Sequence, residues 1–185
     1  MAGEGTPPNP LSAEEFTAQM VALIPSLRAF ARGLCREREL ADDLAQEAMA
    51  RAWAARDSFT PGTNFRAWMY TILRNQFYTS KRKSARMTSW DPEAAERILV
   101  QKPVQELNLH VRDVNKALDL LPPKQREMLL LIAAAGLSYQ EAADVAGCSI
   151  GTVKSRLARG RTALQKIVDG DVENSGEDKT QRMSG

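Results

Sequence analysis

With 185 residues, 43% hydrophobic and 26% charged, the chain has room for one domain or two small ones and is too apolar for wholesale disorder. Two cysteines without CxxC spacing and a single histidine exclude a disulfide scaffold, an ordinary zinc finger and a His-rich metal centre. The net charge of +2 conceals segregation: residues 58–90 carry six basic side chains and no acid, and Lys154, Arg156, Arg159, Arg161 and Lys166 follow Asp144 with no acid before Asp169.

The opening MAGEGTPPNP, with Pro7, Pro8 and Pro10, reads as a disordered lead-in over 1–11. It lacks the basic and apolar parts of a signal peptide, and no apolar run approaches the roughly 18 residues of a membrane span, so a cytoplasmic protein without membrane partners is expected. Ser12-Ala13-Glu14-Glu15 is a capping box that starts a helix. Phe16, Met20, Leu23, Leu27, Phe30 and Leu34 then recur at helical spacing. Pro25 removes a backbone donor and predicts a division into two short helices. The next helix fits Glu39 to Arg56, with Leu40, Leu44, Ala48 and Trp53 near one face and Asp42, Asp43, Gln46 and Glu47 on the other.

Ser58 to Asn64 is a turn by composition, with Pro61 and Gly62 adjacent. From Phe65 a further helix buries Phe65, Trp68, Met69, Ile72, Leu73 and Phe77, while Arg66, Tyr70, Arg74, Lys81 and Lys83 lie mostly off that face. Met87 to about Asn108 shows no sustained period and reads as a linker. Val111, Val114, Leu118 and Leu121 suggest the next helix, stopped by Pro122-Pro123, and Lys124 to Ala135 a very apolar one ending near Gly136. Ser138-Tyr139-Gln140-Glu141 is a second capping box, for a helix ending near Gly147, and Ser149 caps a last one from Ile150 to about Val168. No stretch alternates as strands do. The chain therefore reads as all-α, with two small helical domains at 12–86 and 108–168, a linker at 87–107 and an acidic, disordered tail at 169–185.

The helix before Gly147, the turn Ala146-Gly147-Cys148-Ser149 and the acid-free helix after it make a helix-turn-helix, with Ala142, Val145, Val153 and Leu157 as the apolar lock. Lys154, Ser155, Ala158 and Arg159 fall on one side and are the candidates to reach base edges in a major groove; Arg156, Arg161 and Lys166 suit phosphates or solvent. An ordinary helical hairpin with a basic surface is the plainer alternative, and the combination of cap, Gly turn and acid-free second helix favours DNA. In the first domain, Phe59, Trp68, Tyr70, Phe77 and Tyr78 lie among cations, as stacking on single-stranded bases requires. Phe65, Trp68 and Phe77 are better read as core. Phe59, Asn64 and Asn75 are better placed to meet a base.

Asp43-Leu44-Ala45-Gln46-Glu47, Trp53 and the run Phe65 to Asn75 resemble the second conserved region of bacterial RNA polymerase sigma factors of the extracytoplasmic-function type. Leu121 to Arg126, Gly136 to Ala143 and Gly151 to Arg161 resemble the fourth. The resemblance spans all but the two tails, and the run Pro61 to Met69 looks most like the alphaproteobacterial general-stress-response subgroup. It implies that Asp43, Leu44, Gln46 and Glu47 bind core polymerase, whose β′ clamp and β subunits are the partners. It implies that Phe59, Asn64, Arg74, Asn75 and Lys81 meet the minus-10 element in opened DNA, with an unstacked base in the turn. Lys154, Ser155, Arg156, Ala158, Arg159 and Arg161 would read the minus-35 element as duplex. Ala158 and Gly160 are smaller than what such helices often carry, leaving Ala158 a methyl contact at most. A small anti-sigma factor is the implied inhibitor, and the linker would thread toward the RNA-exit path.

Two other classes are weighed. A helix-turn-helix regulator that does not join core polymerase, with a receiver-type first domain, would need strands alternating with helices there. An enzyme would need a catalytic set, yet there is no Gly-rich phosphate loop and no Ser/His/Asp group, and the neighbouring Asp42 and Asp43 point in different directions on a helix. His110 and Cys148 read as surface and packing residues. No cofactor, metal or small-molecule substrate is expected.

Overall fold

The computed structural model describes residues 11–35, 37–88 and 109–168, and these form seven α-helices with no strand among them. The expected lead-in, most of the linker and the acidic tail lie outside the described residues. So does the His110 side chain. Among the described residues no helix is long and apolar enough to cross a membrane, and no strands accompany the first domain to suggest a receiver.

Helix α1 runs Ala13–Cys35, α2 Arg38–Ala54 and α3 Phe65–Thr88. The Ser12 box forms as expected: Glu15 N–H donates to Ser12 Oγ at 3.2 Å and Ser12 N–H to Glu15 Oε2 at 2.9 Å. Pro25 does not divide α1. It lies on the exposed side while Leu23, Leu27, Phe30, Ala31 and Leu34 are buried, so the apolar face holds the helix across the missing donor. On α2 the buried stripe is Ala41, Leu44, Ala45, Ala48 and Ala52; Leu40 and Trp53, expected there, are exposed. Alanines let α2 approach its neighbours closely, leaving the larger side chains outside. Tyr70, read as off the buried face of α3, is fully buried, with its ring edge-on to Phe30 at 5.1 Å.

In the second half, α4 is Leu109–Leu120, α5 Pro123–Leu129, α6 Tyr139–Ala146 and α7 Ile150–Val168. Pro123 starts α5 at a first-turn position, where its missing donor costs nothing. The apolar segment expected as one helix changes winding: Leu130–Ala134 form a π turn, with Ala135 N–H bonded to the Leu130 carbonyl at 2.9 Å. Val114, expected in the core, is exposed, whereas Leu121 is buried just past the end of α4.

The two halves pack on each other. One buried apolar cluster contains Leu27, Phe30, Met69 and Leu73 from the first half and Met128, Leu131, Leu137 and Ala142 from the second, with α1 against the π turn and α3 against α6. A smaller cluster of Leu121, Leu129 and Leu157 ties α5 to α7.

Candidate nucleic-acid interface

The helix-turn-helix is built by local rules. Ser138 caps α6, receiving Glu141 N–H at 3.2 Å while its own N–H donates to Glu141 Oε2 at 2.6 Å. The Ser138 backbone bond is the main cause holding the Glu141 carboxyl below the usual carboxylate range. That part of the cap's stability is complete above the ordinary carboxylate pKa and is lost as pH falls through the lowered one. Gly147 ends the helix in the left-handed region, φ 63°, as a glycine does readily. Ser149 Oγ then accepts from Thr152 N–H at 3.2 Å to start α7. Ala142, Val145, Val153 and Leu157 are all buried, so the expected lock is in place. We expect Ser138→Ala to lower unfolding free energy by about 1 kcal/mol in a urea titration, and no change would mean that the cap does not stabilise α6.

The lock turns one side of α7 outward. Lys154, Ser155, Ala158, Arg159 and Arg161 are exposed, and Arg156 is half-buried. Arg159 donates from Nε to the Ser155 carbonyl at 3.2 Å and from an Nη to Ser155 Oγ at 3.3 Å, which fixes the guanidinium along the helix. Gly160 faces the other way: a Cβ there would sit 3.2 Å from Leu129 Cδ1 and 3.3 Å from the Gln125 carbonyl. Its small size serves the approach of α5 to α7, not the outer face.

In the first half, Thr60-Pro61-Gly62-Thr63 closes with Thr63 N–H on the Thr60 carbonyl at 3.2 Å and Gly62 at φ 81°, the pattern of a type II turn. Asn64 Oδ1 then accepts from Ala67 N–H at 3.0 Å and caps α3. Phe59, expected to meet a base, is instead buried edge-on to Phe65 at 5.3 Å and Trp68 at 5.4 Å, so it anchors the turn. Asn75 and Lys81 are exposed on α3, with the Lys81 ammonium 5.9 Å from the Phe77 ring. Arg74 is not on a free basic face. Its Nε donates to the Glu127 carboxylate and an Nη to the Ala146 carbonyl at 3.2 Å.

On α2, Asp43, Gln46 and Glu47 are exposed on one side, with Arg51 Nε donating to the Glu47 carboxylate at 2.7 Å. Asp42 pairs with Arg28 and Arg32 at 3.4 and 3.3 Å, and Leu44 is buried. Leu44 therefore holds α2 in place while its acidic neighbours form the surface. Burial pushes the Cys35 thiol up to about 11, which disfavours the reactive thiolate at neutral pH.

Sequence reasoning missed a group that spans the halves. Tyr78 donates to Glu127 at 3.0 Å, Lys124 lies 3.5 Å from the same carboxylate, Arg66 donates to the Ala135 carbonyl at 3.2 Å, and Asn64 Nδ2 donates to Glu141. Glu127 is fully buried. An acid directly before the apolar run Met128 to Ala135, on a helix that enters the core, was a sign that a buried carboxylate would need cation partners.

Two family models match the chain: Sigma-70 region 2 over residues 20–87 and Sigma-70 region 4 over residues 111–164. The chain is 44% identical to the ECF RNA polymerase sigma factor EcfG of Rhodopseudomonas palustris over 165 residues, covering 88% of this chain and 91% of that protein. Its fold is similar to that of the sigma factor RpoE from Bartonella quintana, solved in complex with the anti-sigma factor NepR, at TM-score 0.75 and 38% identity, covering 88% of this chain and all of the other. It is also similar to CnrH, solved with the cytosolic domain of CnrY, at TM-score 0.64 and 28% identity, covering 86% and 91%.

Proposed function

The chain belongs to the extracytoplasmic-function sigma factors of RNA polymerase, and on that premise we propose how its surfaces divide the work. As a sigma factor it joins core polymerase, recognises the minus-35 and minus-10 promoter elements and directs initiation, and its EcfG-like sequence makes stress-response genes its targets. It serves as an initiation factor without chemistry of its own, and its place is the cytoplasm, where polymerase works. The N-terminal unit, 12–86, carries polymerase and minus-10 binding, the C-terminal unit, 108–168, carries minus-35 binding, and 87–107 connects them.

Asp43, Gln46 and Glu47 form the polymerase-facing surface, supported from beneath by Leu44. Asn64, at the end of a turn stiffened by Phe59, and Arg74, Asn75 and Lys81 on α3 meet the opened minus-10 strand. On α7, Lys154, Ser155 and Arg159 read minus-35 base edges, Ala158 offers a methyl group, and Arg156 and Arg161 hold phosphates. An anti-sigma factor holds the chain inactive, as the NepR and CnrY complexes of its relatives suggest. The observation that carries the minus-35 assignment is the outward, acid-free face of α7 with Arg159 fixed along it. Arg159→Ala should weaken promoter-specific binding by about 1–3 kcal/mol, the range for a bidentate base contact. Unchanged minus-35 discrimination in a duplex-binding titration would refute that assignment.

A further inference from the structure

A line of hydroxyls runs along α7 from its cap to Arg159. Ser149 Oγ accepts from Thr152 N–H and lies 3.0 Å from Thr152 Oγ1. Farther along, the Ser155 hydroxyl donates to the Thr152 carbonyl at 3.1 Å. Arg159 then closes on Ser155 twice, from Nε to its carbonyl at 3.2 Å and from Nη2 to its Oγ at 3.3 Å. A serine hydroxyl has one hydrogen to give and two lone pairs. The hydrogen is spent on the helix and one lone pair on Arg159, so Ser155 keeps little with which to read a base itself. Among the other residues assigned above to the minus-35 element, Lys154, Arg156, Ala158 and Arg161 carry no side-chain acceptor, which leaves Ser155 as the one able to hold a guanidinium.

Resting on the minus-35 reading above, we propose that Ser155 is a positioning residue: its part in the readout is exercised through Arg159, whose guanidinium it holds ready before DNA arrives. Both bonds engage the Nε side of the guanidinium. The far edge, Nη1 with the outer hydrogen of Nη2, is left for a base, and two donors side by side are what a bidentate contact needs. An unbraced arginine would have to be ordered at the moment of binding, which weakens association. The exposed Ala158 adds only a methyl beside it, so no bulky neighbour takes over the bracing.

The test uses the full-length chain, a fluorescent duplex carrying the minus-35 element of a promoter it initiates on, and a set of duplexes with single base-pair changes. Alanine is the best helix former, so Ser155→Ala should leave circular dichroism unchanged and the urea midpoint at or above the native one. It should nonetheless cost about three- to tenfold in discrimination at the base pair that Arg159→Ala relaxes, and nothing further in the Arg159→Ala background. Ser155→Thr, whose hydroxyl can still bond the carbonyl of the preceding turn, should restore native discrimination. Relaxation at a different base pair, adding to that of Arg159→Ala, would overturn the proposal, because Ser155 would then read a base of its own. Native discrimination in Ser155→Ala would overturn it equally. Heteronuclear NMR of the DNA-free chain follows the Arg159 Nε–H directly. Its exchange with water should quicken in Ser155→Ala and return to the native rate in Ser155→Thr. An unchanged rate in Ser155→Ala sinks the brace and leaves the minus-35 assignment standing, whereas Arg159→Ala relaxing no base pair sinks that assignment while the NMR still decides the brace.

Discussion

The double substitution Asp43→Lys with Glu47→Lys is expected to abolish co-purification with core polymerase while leaving helix content intact. Both carboxylates are exposed, and their i, i+4 spacing puts them on one side of α2 with Gln46 between. The helix beneath is held by Ala41, Leu44, Ala45, Ala48 and Ala52, none of which changes. The local cost is small: Glu47→Lys loses the 2.7 Å pair with Arg51 and places like charges four apart, worth about 0.2–0.5 kcal/mol in a helix. The effect on association is large because reversing a complementary charge sets repulsion where attraction stood. A pull-down that recovers β′ with the variant at the native level would mean that this surface does not face polymerase.

Phe30→Ala should produce the largest loss of stability, about 3–5 kcal/mol, the usual range for removing a buried phenylalanine. Phe30 is fully buried in the cluster shared by the two halves and meets Tyr70 edge-on at 5.1 Å with an interplanar angle of 90°. The cavity would open between α1 and α3, where Phe30 meets Tyr70. Urea unfolding monitored by circular dichroism checks it. A shift under 1 kcal/mol would show that the ring is not the centre of the packing.

What the sequence disclosed were the features that neighbouring residues decide among themselves. Both capping boxes, the glycine stop at Gly147, the Pro61-Gly62 turn and the lock of the helix-turn-helix depend on contacts within a few positions, and each formed as expected. The misreadings came from packing. Pro25 lacks a donor, yet its helix continues because a long buried stripe outweighs one hydrogen bond. Leu40, Trp53 and Val114 looked like core by spacing and are exposed, while Tyr70 looked like surface and is buried. Spacing gives a helix a face but not the partner that covers it.

The same limit explains the candidate site. The outward placing of Lys154, Ser155 and Arg159 could be read from α7 alone, because the lock that orients them is a few residues away. Arg74 could not, since its partner Glu127 is 53 positions on. A cation in an acid-free stretch and an acid in an apolar one were each visible, but only the fold pairs them. Its place in a turn makes Phe59 look like a base contact, whereas the fold turns it inward against Phe65 and Trp68.

Reconstituted transcription tests the central claim most directly. Core polymerase, this chain and a library of promoter fragments are combined, and run-off products are sequenced. Initiation should depend on the added chain and return templates sharing two separated elements, with Arg159→Ala relaxing the upstream one and Asn75→Ala the downstream one. Specific duplex binding with no chain-dependent transcript would contradict it and leave a DNA-binding regulator that does not join polymerase.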